Sequence, residues 1–420
     1  MIFVYAKGLR MFGYFLEHGR YLGFVGIGII LGIAFLFSSH KRKISLRLVF
    51  SALALQFLLA FFILKTSVGL LIFGHLADAF KALYQFADSG SAFVFGSLAK
   101  ADGPWGFVFA IKALPVIIFF GALMSLLFHL GIVQCIVKGF AWAIRPILGT
   151  SGAETLSVAA NSMLGQTEAP LLIKKYIAHM TDSETLTMMV SGMAHLSGGL
   201  LAAYGLMGVP VLHMLSASFM AIPGSILISK ILIPETGQPE TMGGQTVSIP
   251  RETKNVLDAV STGTSDGLRL AVNVAAMLIA FISLVALIDT ILMWATGYFM
   301  AAPLTLNVLF GKLFYWIAYL LGIPGSECQT AGALLGQKLA INEFFAYTNF
   351  IKANLCSRSM AILTYALAGF ANFSSIGIQI GGIGAICPEK RQLLTRLGLR
   401  ALLGGTLANL LNAAIASLFL

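Results

Sequence analysis

Charge is what this sequence has least of. Of its 420 residues, 27 are Lys or Arg and 17 are Asp or Glu, so only 10% carry charge, against about 25% in a soluble domain. So few charges cannot coat a water-facing surface, which argues against a soluble enzyme. Cysteine is also scarce. Cys135, Cys328, Cys356 and Cys387 show neither CxxC nor zinc-ligand spacing, which leaves them as structural thiols. No HExxH and no GxxxxGK[ST] stretch occurs, so neither a zincin nor a phosphate-cradling loop is encoded. The formal net charge of +10 is not arranged in basic runs interleaved with aromatics, and no nucleic acid is expected as a partner.

What the chain has in abundance is apolar sequence, 58% of all residues. At about 20 residues per span, its length accommodates roughly eight to eleven crossings. The expected fold is an all-α polytopic membrane protein whose surroundings are the lipid bilayer. Residues 1–20 form an N-terminal extension in which Lys7, Arg10, Glu17, His18 and Arg20 interrupt any secretory core. Two spans and an amphipathic, turn-rich interfacial stretch (70–102) fill 21–105. A long span over 107–134 and a linking helix fill 106–150. An interrupted block and two ordinary spans (184–207 and 211–233) make up 151–233.

A polar loop, 234–268, comes next. A further span and a linking helix occupy 269–321, and a second interrupted block with the last two spans (359–385 and 400–420) occupies 322–420. Eight crossings from an outside amino terminus put two basic clusters, 40–47 and 390–400, on one side. That is the cytoplasmic side by the rule that inner loops collect Lys and Arg.

The two interrupted blocks resemble each other. One carries Glu154 and Glu168 and is followed by His195; the other carries Glu327 and Glu343 and is followed by Asn372. The glutamates are 14 and 16 residues apart, and the following polar residue comes 27 and 29 residues later. By the span count the blocks enter from opposite faces. Each reads as a re-entrant hairpin, because Gly165 and Pro170 would leave backbone groups unpaired unless protein or water shields them. Inverted repeats with broken helices are the usual architecture of secondary transporters. A carboxylate within the membrane costs at least about 2.5–3.5 kcal/mol, so Glu168 and Glu343 are functional candidates unless Lys174, Lys175 or Lys338 pairs with them. Asp289, near a span end, reads as structural or interfacial.

Gly165-Gln-Thr-Glu-Ala-Pro170, Asn342-Glu-Phe-Phe-Ala-Tyr347 and Gly369-Phe-Ala-Asn-Phe-Ser-Ser-Ile376 carry a clear likeness. Over residue 20 to the end, the chain resembles the bacterial concentrative nucleoside transporters; Gly322-Ile-Pro324 and Gly404-Gly-Thr-Leu-Ala-Asn409 add to the match. The resemblance implies a homotrimer in the cell inner membrane, a scaffold built on the third and sixth spans, and a moving unit that holds both hairpins. It implies that Gln166, Thr167 and Glu168 contact the nucleobase, that Glu343, Asn372 and Ser375 hold the ribose, and that Leu200 and Phe370 flank the base. It implies no cofactor beyond a coupling ion, Na+ or H+, at Asn161, the Leu164 carbonyl, His195 and the Leu196 carbonyl.

The donor and acceptor chemistry agrees. A Gln amide can pair with an amide-like base edge, and a carboxylate accepts strong bonds from hydroxyls. No Lys/Arg cluster accompanies the motifs, which favours free nucleosides over nucleotides. His195 stands where sodium-coupled members carry a hydroxyl. Because imidazole titrates near neutrality and sodium prefers oxygen, proton symport is expected, with sodium symport as the alternative. A channel and a membrane-embedded enzyme are remoter readings. Gly263-Thr-Ser-Asp-Gly267 matches the hydrolase GxSxG pattern, but it lacks strand context and reads as a helix start capped by Ser265 or Asp266.

Overall fold

The computed structural model describes residues 19–99, 108–242, 253–300 and 303–420. The expected extension therefore lies outside the described residues except for Gly19 and Arg20, as do Phe107 and residues 243–252 of the polar loop. All regular structure among the described residues is helical. Among the described residues, six helical stretches are long and apolar enough to cross a membrane, and three shorter apolar helices accompany them. This is a multi-pass membrane architecture.

The first crossing, α1 (Tyr21–Leu36), ends at the Lys41–Lys43 turn, and α2 (Leu46–Lys65) begins with the Ser45 hydroxyl capping the Leu48 amide. The interfacial stretch is one continuous helix, α3 (Ser67–Phe95), rather than a series of turns. Ser89 and Ser91 stay helical because their hydroxyls bond back to the Gln85 and Ala87 carbonyls. The third span ends at His129, shorter than expected. After α4 (Leu114–His129), Gly131 adopts φ 81° and turns the chain into the linking helix α5 (Ile132–Leu148).

Hairpin 1 consists of α6 (Gly152–Asn161), a turn through 162–168, and a tight return through Ala169–Ile173. At about 1.5 Å per residue α6 is about 15 Å long, half the hydrocarbon thickness. Its base is anchored electrostatically. Lys230 Nζ lies 2.8 Å from Glu154 and 3.3 Å from Glu235 and donates to Ser183 Oγ. Capping boxes at Ser151/Glu154 and Thr181/Glu184 satisfy the exposed amides of the two helices that start there.

The span expected over 184–207 is broken. Helix α7 (Asp182–Ala194) stops at His195, and α8 (Gly198–Leu206) restarts after Ser197, whose hydroxyl caps the new helix. Helix α9 (Val211–Leu232) completes the first repeat. The next crossing, α10, runs over Val256–Gly297, so much of the expected loop is helix. Its N-cap is Asn255, which accepts from the Asp258 amide; Ser265 is mid-helix and bonds the Ser261 carbonyl. The GxSxG pattern is therefore neither a nucleophile turn nor a helix start. Gly263 and Gly267 let α10 meet Gly121 and Ile118 of α4 backbone to backbone; a Cβ on Gly263 would sit 2.5 Å from the Gly121 carbonyl. This is the small-xxx-small packing by which membrane helices approach closely, and here it joins the third and sixth crossings.

Helix α11 (Leu306–Leu320) cradles hairpin 2, made of α12 (Cys328–Ala340) and α13 (Glu343–Phe350). Gly311, Gly332 and Gly336 allow that contact. The next expected span is broken too, into α14 (Ser357–Leu367) and α15 (Phe373–Ile386), and α16 (Arg391–Phe419) ends the chain. Gly369, at φ 150°, opens this second break, and Asn372 caps α15. Counting each broken helix once gives eight crossings and two re-entrant hairpins among the described residues.

Candidate functional site

Both hairpin tips and both helix breaks converge. At the second hairpin, Asn342 caps α13 by accepting from the Phe345 amide, which leaves Glu343 in the first turn of that helix. Acidic groups are favoured there by the helix dipole. Glu343 is 5% exposed. Tyr204 Oη donates to its Oε1 at 2.9 Å, and Asn372 Nδ2 donates to its Oε2 at 3.0 Å. Each carboxylate oxygen keeps capacity for a further donor. Asn372 Oδ1 in turn accepts from the Ser375 amide and the Ser374 hydroxyl, so one residue starts α15 and also braces the carboxylate.

Gln166 reaches this array from hairpin 1. Its Nε2 donates to Ser375 Oγ at 3.3 Å, and its Oε1 accepts from Gln379 Nε2 at 3.2 Å. The orientation is fixed at the far end, because Gln379 also donates to the Met189 carbonyl, so its nitrogen must face Gln166. Gly192 makes room; a Cβ there would lie 2.6 Å from Gln379 Nε2. A continuous chain of hydrogen-bonding groups thus runs Gln379, Gln166, Ser375, Asn372, Glu343, Tyr204. It joins hairpin 1, both broken helices and hairpin 2.

The remaining predicted residues are placed differently. Thr167 packs its methyl group against Gly382 of α15. Glu168 is exposed at the tip rather than buried, because its carboxylate folds back to accept from the Gly165 amide at 3.1 Å. Leu200 is buried in the first turn of α8, and Phe370 is buried within the second break. No ion pair joins Glu168 or Glu343 to Lys174, Lys175 or Lys338 among the described residues. Asp289 accepts from the Leu306 amide and braces the link to α11.

Of the four residues expected around the cation, Asn161 and Leu164 lie at the tip of hairpin 1 and His195 and Leu196 in the first break beside it. Asn161 Nδ2 donates to the Ser157 carbonyl and to Ser191 Oγ, while its Oδ1 is buried without a partner. His195 Nδ1 is 2.8 Å from the Ser191 carbonyl, which can only accept, so Nδ1 carries a proton and, in the neutral ring, Nε2 holds the lone pair. That Nε2 is buried and makes no hydrogen bond among the described residues, although the Ser218 backbone lies near the ring. The Gly198 amide donates to the Met163 carbonyl, so the hairpin tip and the break touch. The Leu164 and Leu196 carbonyls accept no hydrogen bond among the described residues. Sequence reasoning missed Tyr204, Gln379, Ser191 and Ser197. Gln379 carried a readable signal as a lone amide in the apolar run Ile376-Gly-Ile-Gln-Ile380.

Comparison with known proteins bears on the family and the fold. Profiles of the Na+ dependent nucleoside transporter N-terminus and C-terminus match residues 25–98 and 213–417, and a nucleoside-recognition gate profile matches 110–210. A nucleoside permease of Helicobacter pylori, NupC, is 41% identical over 408 residues, covering 94% of this chain and 97% of the permease. The chain belongs to the concentrative nucleoside transporter family. An uncharacterized transporter of Haemophilus influenzae is 44% identical over 404 residues, covering 94% of this chain and 97% of that one. The solved structure of the transporter CNTnw in an inward-facing substrate-bound state superposes with a TM-score of 0.91 at 37% identity, over 95% of this chain and 97% of CNTnw. An outward-facing form of CNTnw matches with a TM-score of 0.90. This transporter is accordingly not an enzyme, and it is a multi-pass protein of the inner membrane.

Proposed function

We propose that the chain imports free nucleosides by proton symport, with both hairpins moving as one unit against a scaffold of α4 and α10. The observation that carries the substrate reading is the convergence of Gln166, Ser375, Asn372 and the buried Glu343 in one hydrogen-bonded chain. Gln166, Thr167 and Glu168 face the base, and Leu200 and Phe370 flank it. Glu343, Asn372 and Ser375 hold the ribose hydroxyls, Glu343 through charge-assisted bonds. A polar site of this kind rejects analogues that lack a hydroxyl, because its own groups would be left unpaired. The names of the permease relatives and the nucleoside profiles support the same substrate class. The functional unit is a homotrimer with one pathway per protomer, as the family resemblance implies. In this reading the scaffold corresponds to 106–150 and 269–321, and the repeats to 151–233 and 322–420.

Proton coupling is supported by His195 Nε2, a buried lone pair with no donor at a helix break. One charge moving through 100 mV supplies about 2.3 kcal/mol, enough for roughly 50-fold accumulation. Sodium symport is the second reading. The unpartnered Asn161 Oδ1 and the free Leu164 and Leu196 carbonyls favour it, since all three are hard oxygens. Uptake of radiolabelled uridine and adenosine into proteoliposomes, under separate proton and sodium gradients, tests both. Uptake driven by an inward proton gradient without sodium is the expected result. Uptake driven by sodium and indifferent to pH overturns the proton assignment. Uptake unchanged by Gln166→Ala and Glu343→Ala overturns the site.

A further inference from the structure

The motif Gly404-Gly-Thr-Leu-Ala-Asn409 has no role in the site described so far. Its last residue lies in α16 and is 1% exposed. Asn409 Nδ2 donates to the Ala194 carbonyl at 2.8 Å and to the Ala368 carbonyl at 2.6 Å. Ala194 is the last residue of α7, and Ala368 caps the end of α14. One side-chain amide therefore bridges the C-terminal ends of both half-helices at the points where they break. Such ends carry unsatisfied carbonyls and partial negative charge.

The other end of the amide is held by a buried lysine. Lys338 of hairpin 2 is 4% exposed, and its Nζ donates to Asn409 Oδ1 at 2.7 Å and to the Ala366 carbonyl at 2.8 Å. The Asn409 orientation follows from the two carbonyls, which can only accept and so take Nδ2, leaving Oδ1 to accept from the Lys338 amine. The breaks also touch directly. A Cβ on Gly369 would lie 2.6 Å from Asn409 Oδ1 and 2.8 Å from the Met193 carbonyl. Gly405, one turn before Asn409, packs against Met193 as tightly. His195 follows Ala194 by one residue, and Phe370 and Asn372 follow Ala368 by two and four.

We infer that Asn409, held by Lys338, is the positioning residue that couples the cation site to the nucleoside site. The inference rests on the symport reading above. Neither residue touches a ligand in that reading. Cation capture at the first break fixes the Ala194 carbonyl, Asn409 transmits that position to Ala368, and the loop bearing Phe370 and Asn372 is set for the nucleoside. By linkage the effect is reciprocal: nucleoside binding orders the cation site by the same factor.

The test measures uridine affinity of the purified transporter with and without the coupling cation. The comparisons are sodium against choline at neutral pH, and acid against neutral pH in choline. Wild type is expected to gain affinity about 5–150-fold from one of these, the usual range of coupling between sites. Asn409→Asp keeps the size and the Lys338 contact but loses both carbonyl bonds. It should bind uridine without cation nearly as wild type does, while the cation-dependent gain falls to less than about 2-fold, below that same range. Lys338→Met should reduce the gain in the same direction. Asn412→Ser is the control: Asn412 lies one turn further along α16, equally buried, and contacts Gln56 and the Ala217 carbonyl but neither break.

A full cation-dependent gain in Asn409→Asp overturns the inference while leaving the transport reading intact. Failure of wild-type protein to bind either nucleoside defeats that reading, and the inference with it. If the Asn409 variants do not fold, amide exchange in wild type decides. Uridine added without cation should slow exchange at Leu196–Gly198, and absence of slowing overturns the inference.

Discussion

The two helix breaks have the same topology and opposite electrostatic finish. At the second, every hydrogen-bonding atom of Asn372 is engaged, and Glu343 is braced from two sides. At the first, Asn161 Oδ1 and His195 Nε2 are buried without partners. A buried unsatisfied polar atom costs about 1–3 kcal/mol. The first break holds two of them beside the expected cation residues, while at the second the one such atom, Gln379 Oε1, lies two turns into α15, away from Asn372 and Glu343. The difference matches the proposed division of labour. A neutral, hydroxyl-rich ligand needs a rigid array already facing it, whereas a small cation needs acceptors with nothing else to bind.

The sharpest way to break the comparison is at Glu343. Glu343→Ala removes the charged acceptor and strands Tyr204 and Asn372. Hydrogen bonds to charged groups contribute about 1.5–3 kcal/mol each, so kcat/KM for uridine uptake should fall by about 100-fold or more. Next is Lys230→Met at the base of hairpin 1. Breaking a buried pair by removing one partner costs about 3–5 kcal/mol, and the thermal unfolding midpoint in detergent should drop measurably. Substrate protection should survive in the fraction that remains folded.

His195→Ser tests the first break directly. It should abolish the response of uptake to an inward proton gradient and place a hydroxyl beside Asn161, so sodium should begin to stimulate uptake; an unchanged proton response refutes the assignment. A smaller effect is expected from Tyr204→Phe, which deletes one donor to Glu343. KM should rise about 5–20-fold, corresponding to about 1–2 kcal/mol. Least of all, Gln379→Leu frees Gln166 to rotate, and competition assays should show a loss of discrimination among bases of about 2–5-fold, the size of one neutral hydrogen bond.

The hairpins could be read in the sequence because polar residues interrupt apolar runs there, whereas the second break, inside the span expected over 359–385, was marked by its motif but not seen as a break. Gly165, Pro170, Asn342 and Glu343 have no place in a lipid-facing helix, and Gly369 and Asn372 carry a recognisable motif. The first break was hidden. Met193-Ala-His-Leu-Ser-Gly198 is apolar enough to pass for continuous helix, and only the Ser197 cap distinguishes it. The start of α10 was hidden for the opposite reason. Asp258, Ser261, Thr264 and Asp266 look like loop, yet the Asn255 cap and packing of Gly263 and Gly267 on α4 hold them helical. Glu168 was expected to be buried because it sits in an apolar segment. Its position at a tip, where the Gly165 amide is within reach, leaves it accessible at the hairpin end rather than packed in the core.

The glycine contact between α4 and α10 also has a mechanical meaning. With Gly121 against Gly263 and Gly267, the two backbones mesh like a gear with a single tooth missing. Sliding one helix by a turn would push Ser125 or Ile118 into that gap, and such overpacking costs about 1–3 kcal/mol per site. The pair therefore resists sliding of one helix along the other, as the fixed scaffold of the proposed movement would need to.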